Sequence, residues 1–127
     1  MFWKREIGDQ GEDLAVQFLK KNGLKILEHP YKTKAGEIDI IARQKHQLCF
    51  IEVKARQKDG RFGLPQEAVD FRKQQQMAKA SLWYLQSKRL TLTPCRFDVI
   101  AITYNENNSA QIEWIQNAFE LNDRYRY

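Results

Sequence analysis

Long hydrophobic runs are missing from this 127-residue sequence. No apolar stretch approaches the ~20 residues needed to span a bilayer, so no membrane partner is expected. The opening segment Met1-Phe2-Trp3-Lys4-Arg5-Glu6 carries charge but no extended apolar core, which argues against a secretion signal. Cysteine is scarce: Cys49 and Cys95 sit in apolar surroundings without metal-type spacing, and read as reduced core thiols. His29 and His46 have no Cys/His or i, i+4 partner, which argues against a zinc centre. Ser81 and Ser87 lie on a helical stretch without a triad context, and no glycine-rich phosphate loop exists. A cytoplasmic location is the expectation that these absences leave.

What is present fits one domain, residues 1–127, with a core at about 8–116. Hydrophobic residues make up 43% and aromatics 12%, enough apolar surface to build a core. Net charge is +5, from 21 basic and 16 acidic residues, a balance compatible with a polyanionic partner. The cations gather: Lys54, Arg56, Lys58 and Arg61 follow one strand, and Arg72, Lys73 and Lys79 lie on the next helix. Together they make either one basic face for nucleic acid or two separately solvated surfaces.

Apolar spacing predicts a helix from Gly8 to Asn22, stopped by Gly23 after two lysines. Leu24 to Thr33 reads as a strand broken by Pro30, at a sheet edge. Glu37 to Gln44 and Gln47 to Arg56 read as two further strands, the second buried on both faces at Cys49-Phe50-Ile51. A long helix follows over about Gln66 to Lys88, then strands at Arg96 to Tyr104 and Ala110 to Ile115. This order, α-β-β-β-α-β-β, implies an α/β fold with a mixed sheet covered by helices.

Strand alternation decides which side chains meet. Glu37 and Asp39 share one face of their strand, as do Glu52 and Lys54 of theirs. If Lys45-His46 form a two-residue turn, Asp39 falls opposite Glu52, and Glu37 opposite Lys54. Opposed Cβ atoms stand roughly 4.5–5.5 Å apart, where like charges destabilise. Lys45-His46 is not a favoured primed-turn pair. A slip of two residues would keep the four groups together, and a slip of one would scatter them.

A hard divalent cation, Mg²⁺ or Mn²⁺, explains two apposed carboxylates, since it takes oxygen ligands together with water and phosphate. Lys54 would then orient the water or stabilise charge on the phosphorane. The plainer alternative is an ion-pair ladder in which Glu37 and Lys54 neutralise each other. Glu12 borders the helical stripe of Ala15, Val16 and Leu19, either as a third acid of the site or as an exposed first-turn acid.

Several segments together are recognisable. Gly11-Glu12, Ala15, Phe18-Leu19, Gly36-Glu37-Ile38-Asp39-Ile40-Ile41-Ala42, Phe50-Ile51-Glu52-Val53-Lys54-Ala55-Arg56, Phe62-Gly63 and Arg96-Phe97-Asp98-Val99-Ile100 resemble the YraN-like family of bacterial proteins. That family looks like a branch of the PD-(D/E)xK nuclease superfamily, near archaeal Holliday-junction resolvases. The resemblance implies a restriction-endonuclease-like fold. It also implies that Glu12, Asp39 and Glu52 are metal-site acids, Lys54 the catalytic lysine, and the Val53 carbonyl a further metal ligand. Lys73 matches a basic position of the family that would touch phosphate. One departure is that the family pattern has an asparagine near Pro30 of this chain.

The expected function is metal-dependent hydrolysis of phosphodiester bonds in DNA, with branched DNA a candidate substrate. The alternative from another class is a nucleic-acid-binding module that keeps the fold without significant catalysis. A third is an interaction protein whose acids merely pair with bases. DNA is the expected partner, through Arg56, Lys58, Arg61, Arg72 and Lys73. A homodimer built on leftover aromatics such as Trp83 and Tyr84 is a further expectation. Trp3, Trp83 and Trp114 are read as core or interface aromatics, Gln74-Gln75-Gln76 as a solvated helix face, and Phe62-Gly63-Leu64-Pro65 as a loop anchor.

Overall fold

The periodicities above become nine elements in a computed structural model that describes residues 2–57, 69–107 and 109–120, with side chains from residue 10 onward. Helix α1 (Phe2–Lys21) begins before the expected Gly8. Its end is a Schellman cap: Leu24 N–H donates to the Leu19 carbonyl and Gly23 N–H to that of Lys20, with Gly23 at φ +88°. A side chain at Gly23 would be strained there.

The strands are β1 (Lys25–Glu28), β2 (Tyr31–Thr33), β3 (Gly36–Ile38), β4 (Ile40–Gln44) and β5 (Gln47–Gln57). Helix α2 (Phe71–Ser87), β6 (Cys95–Tyr104) and β7 (Ala110–Phe119) complete the order. Five strands form one sheet in the order β1-β4-β5-β6-β7; only β5 and β6 run parallel. The mixed sheet flanked by two helices fits the restriction-endonuclease-like fold expected from the sequence. Among the described residues, no helix is long and apolar enough to cross a membrane.

Alternation along β5 sorts the core into two layers. Leu48 and Phe50 pack with Met77, Ala80, Tyr84 and Leu85 of α2. Cys49, Ile51 and Val53 pack with Ala15 and Leu19 of α1. The Cys49-Phe50-Ile51 run is fully buried, as a strand flanked on both edges and covered on both faces must be. Strand β1 lies at the sheet edge and ends before Pro30, as expected.

The predicted strand from Glu37 to Gln44 needs correction. It breaks at Asp39, and the piece before the break pairs with β2 in a separate two-stranded sheet. Glu37 therefore stands across from Lys32, not Lys54. The break lets β3 approach α2 closely: a Cβ on Gly36 would lie 2.8 Å from the Gln76 carbonyl oxygen. Only glycine lets these two backbones meet so tightly.

Candidate metal centre

The hairpin of β4 and β5 sets the geometry. Gln44 pairs with Gln47 and Ile40 with Ile51, so Lys45 and His46 are the two turn residues, Lys45 at φ 56°. This is the register that puts Asp39 at the level of Glu52. Beyond Ile40 the ladder loses its neighbour, because β3 has turned away. Val53 N–H would be left without an acceptor, and the Asp39 side chain supplies one: Oδ2 accepts from Val53 N at 2.8 Å. The break that sequence reasoning missed is thus what turns the Asp39 carboxylate toward β5. N–H and C=O of one strand residue leave by the same edge, so the Val53 carbonyl also points to the Asp39 side.

Glu52 and Lys54 lie on the α2 face of β5, in alternation with Leu48 and Phe50. The Glu52 side chain is only 12% exposed, and its Oε2 stands 3.3 Å from Lys73 Nζ. That contact is an ion pair without hydrogen-bond alignment, so this buried oxygen lacks a hydrogen-bond donor. Asp70 caps α2 by accepting from Lys73 N at 2.8 Å, which seats the first turn carrying Lys73 over the acid. Lys73 thus meets a carboxylate in this structure.

Burial, then the charge of Asp39, pushes the Glu52 carboxyl up to about 8, against the opposing pull of Lys73. Glu12 is raised as well, by burial and then by Asp39, while His29 lowers it. Asp39 therefore acts on an acid at either side. Glu12 Oε2 lies 3.6 Å from His29 Nε2. No spacing signal marks that pairing, since His29 has no partner at a regular interval.

Among the described residues no three His, Cys, Asp or Glu side chains are closed into a group that could hold a metal ion as they stand. The donor chemistry nevertheless fits a hard divalent cation: carboxylate oxygens, a carbonyl on the same edge, and the unsatisfied Glu52 Oε2. Of the expected nucleic-acid contacts, Arg72 is exposed on α2, while Arg56 donates from Nε to Thr103 Oγ1 at 3.1 Å. Lys58 and Arg61 lie outside the described residues.

The raised Glu52 has a consequence for stability. Its folded value near 8 exceeds the ordinary 4.5, so between those pH values the folded chain holds a proton that the unfolded chain releases. The stability this gives is fully present below about pH 4.5 and is lost as pH rises toward 8. Metal-free urea unfolding at pH 5, 6.5 and 8 should show a falling midpoint, and Glu52→Gln should flatten the decline. A midpoint that rises across this window in the wild type, with Glu52→Gln unchanged, would contradict the assignment.

The site-bearing segments also carry the relationship to known proteins. Residues 11–102 match the model of the uncharacterised protein family UPF0102. A UPF0102 protein of Syntrophus aciditrophicus (strain SB) is 46% identical over 114 residues, covering 90% of this chain and 88% of its own. One from Geobacter metallireducens is 45% identical, covering 92% and 94% respectively. UPF0102 protein TTE1452 of Caldanaerobacter subterraneus subsp. tengcongensis is 44% identical, covering 91% and 96%. Matched over its acids, its hairpin and most of its sheet, the chain belongs to family UPF0102, the YraN family.

Proposed function

We propose that this chain is a metal-dependent, endonuclease-like protein that hydrolyses phosphodiester bonds in DNA, branched DNA included. The observation that carries the reading is Glu52: a carboxyl group 12% exposed, beside a second acid, whose buried Oε2 faces the Lys73 ammonium at 3.3 Å without an aligned hydrogen bond. A buried polar atom left unsatisfied calls for a missing partner, and a strongly perturbed acid marks a candidate functional site.

In this reading Asp39, Glu52 and the Val53 carbonyl would hold Mg²⁺ or Mn²⁺, with Glu12 beside Asp39 as a further acid. When bound, the cation polarises a phosphoryl oxygen and lowers the pKa of its water. Lys54, two residues beyond Glu52 on the same face, sits about 6–7 Å along the strand. From there its ammonium orients the attacking water or takes up charge developing on phosphorus. Lys73 offsets part of the desolvation cost that the Glu52 carboxylate meets when it ionises. It also stands ready for a phosphate oxygen once Glu52 has another partner.

A nucleic-acid-binding module without turnover is the second reading. The Lys73–Glu52 ion pair favours it, because a cation already faces the acid that a metal needs.

Metal binding is tested without any substrate. A divalent ion at a hundredfold excess over its dissociation constant adds about 2.7 kcal/mol to the folded state. Thermal unfolding in millimolar Mg²⁺ or Mn²⁺ should therefore occur several degrees above that in EDTA. Because loading displaces the Glu52 proton, the shift should be larger at pH 8 than at pH 6. Coincident transitions in metal and EDTA at pH 8 would favour the binding-module reading.

A further inference from the structure

Helix α2 contains no acidic residue in its 17 positions, and its outward face has two features that the acidic site does not use. Met77, Ala78, Ala80, Ser81, Tyr84 and Leu85 are buried and define the inner face. Arg72, Gln75, Lys79, Trp83 and Gln86 recur by three or four residues and form the opposite stripe. On it, Arg72 and Lys79 are exposed, and Trp83 is 60% exposed. Tyr84, expected beside Trp83 at a dimer interface, is instead buried against Phe50 and Tyr31.

A tryptophan left in water one turn beyond an exposed cation, Lys79, has few suitable partners. An isologous contact with a second copy would bring this acid-free stripe against itself, setting Lys79 and Arg72 near their own kind. A polyanion with flat apolar faces suits both features. Duplex DNA offers its phosphates but keeps its bases stacked inside. An unpaired strand offers phosphates and bases together, and base–aromatic stacking tolerates any sequence. Position matters too, because Lys73, one residue from Arg72, touches Glu52. The stripe therefore starts beside the acidic pair and runs about 16 Å to Trp83, at 1.5 Å per residue.

We infer that the outer stripe of α2 is a track for an unpaired nucleic-acid strand, Arg72 and Lys79 holding its phosphates and Trp83 stacking on a base. The inference rests on the nuclease reading for its purpose, which is to lead a single-stranded arm toward Asp39 and Glu52. Its test does not depend on cleavage.

Fluorescence anisotropy of the full chain in EDTA at low salt, with a dye-labelled oligothymidine of about 20 nucleotides and a blunt duplex of equal length, decides it. The single strand should bind more tightly than the duplex. Trp83→Ala should weaken single-strand binding roughly 5- to 100-fold, and Trp83→Phe should retain most of it. Lys79→Ala should lower the slope of log affinity on log salt by about 0.7. Equal single-strand affinity for wild type and Trp83→Ala would overturn the inference, as would a wild-type preference for the blunt duplex. A loss of dimer on Trp83→Ala with oligonucleotide binding unchanged would do the same and assign the stripe to self-association. Trp83-dependent binding without metal-dependent cleavage defeats only the nuclease reading; cleavage without Trp83-dependent binding defeats only this one.

Discussion

Replacing Glu52 by glutamine should leave the metal-free protein about as stable at pH 7 as the wild type, within roughly 1 kcal/mol, while removing its response to metal. Held near 8 by burial and by Asp39, the Glu52 carboxyl is mostly protonated at pH 7 in the folded chain, and an amide resembles that neutral form in shape and charge. What the substitution takes away is the ability to become a carboxylate when a cation arrives. A hydrogen-bond partner of a metal ligand typically supports 10- to 100-fold of affinity, so loss of a direct ligand should exceed roughly 100-fold. The scaffold alternative makes the opposite claim. There the Lys73–Glu52 ion pair is what matters, and breaking it leaves a half-buried ammonium alone. Calorimetry and thermal unfolding in Mn²⁺ and EDTA separate the two. A marked loss of metal-free stability with the metal response intact would defeat the catalytic assignment.

Asp98→Ala should damage folding severely, by roughly 3–5 kcal/mol. Asp98 is fully buried on the α1 side of β6, the face opposite Glu52. Its two oxygens accept from Arg96 Nε at 3.1 Å, Trp114 Nε1 at 2.9 Å and Asn117 N at 2.9 Å. Arg96 in turn donates from Nη1 to Gln44 and Gln47, the pair that closes the β4–β5 hairpin. Removing the carboxylate strands a buried guanidinium and two N–H donors together. It also releases the irregularity between Phe97 and Val99, where Asn117 stands at φ 54°. A fall of roughly 10–20 °C in melting temperature is expected. A change below about 1 kcal/mol would mean that Arg96 and Trp114 find other partners. Asp98 lies in one of the segments that carry the family resemblance, and its chemistry here is structural.

The strand alternation and the two-residue turn were legible in the sequence, and with them the level of Asp39 against Glu52. The turn and the register follow from period-two geometry, and the observed pairs from Gln44↔Gln47 to Ile40↔Ile51 bear them out; Asp39 itself lies one residue beyond the last pair. The break at Asp39 was not legible. Glu37-Ile38-Asp39-Ile40 alternates without interruption, and only the pull of α2 on Gly36 and of β2 on β3 divides it. For the same reason Glu37 lost its expected place across from Lys54. Glu12 could be placed on a helical stripe, but its neighbour His29 arrives from a distant loop that no spacing rule connects to it. The contact of Lys73 with Glu52 depends on the tertiary packing of α2, which no spacing rule reports. Aromatic count alone could not separate Tyr84, a core residue, from Trp83, a surface one.

Metal-dependent hydrolysis is decided by cleavage of labelled linear, flapped and four-way DNA in Mg²⁺ or Mn²⁺, against EDTA, with Glu52→Gln and Lys54→Ala run beside the wild type. The wild type should nick at least one of the three substrates only when metal is present. Glu52→Gln should lose both nicking and the metal-induced thermal shift, whereas Lys54→Ala should lose nicking and keep the shift. No metal-dependent nicking of any substrate by a wild-type protein that binds DNA would contradict the claim, and so would nicking that survives Glu52→Gln.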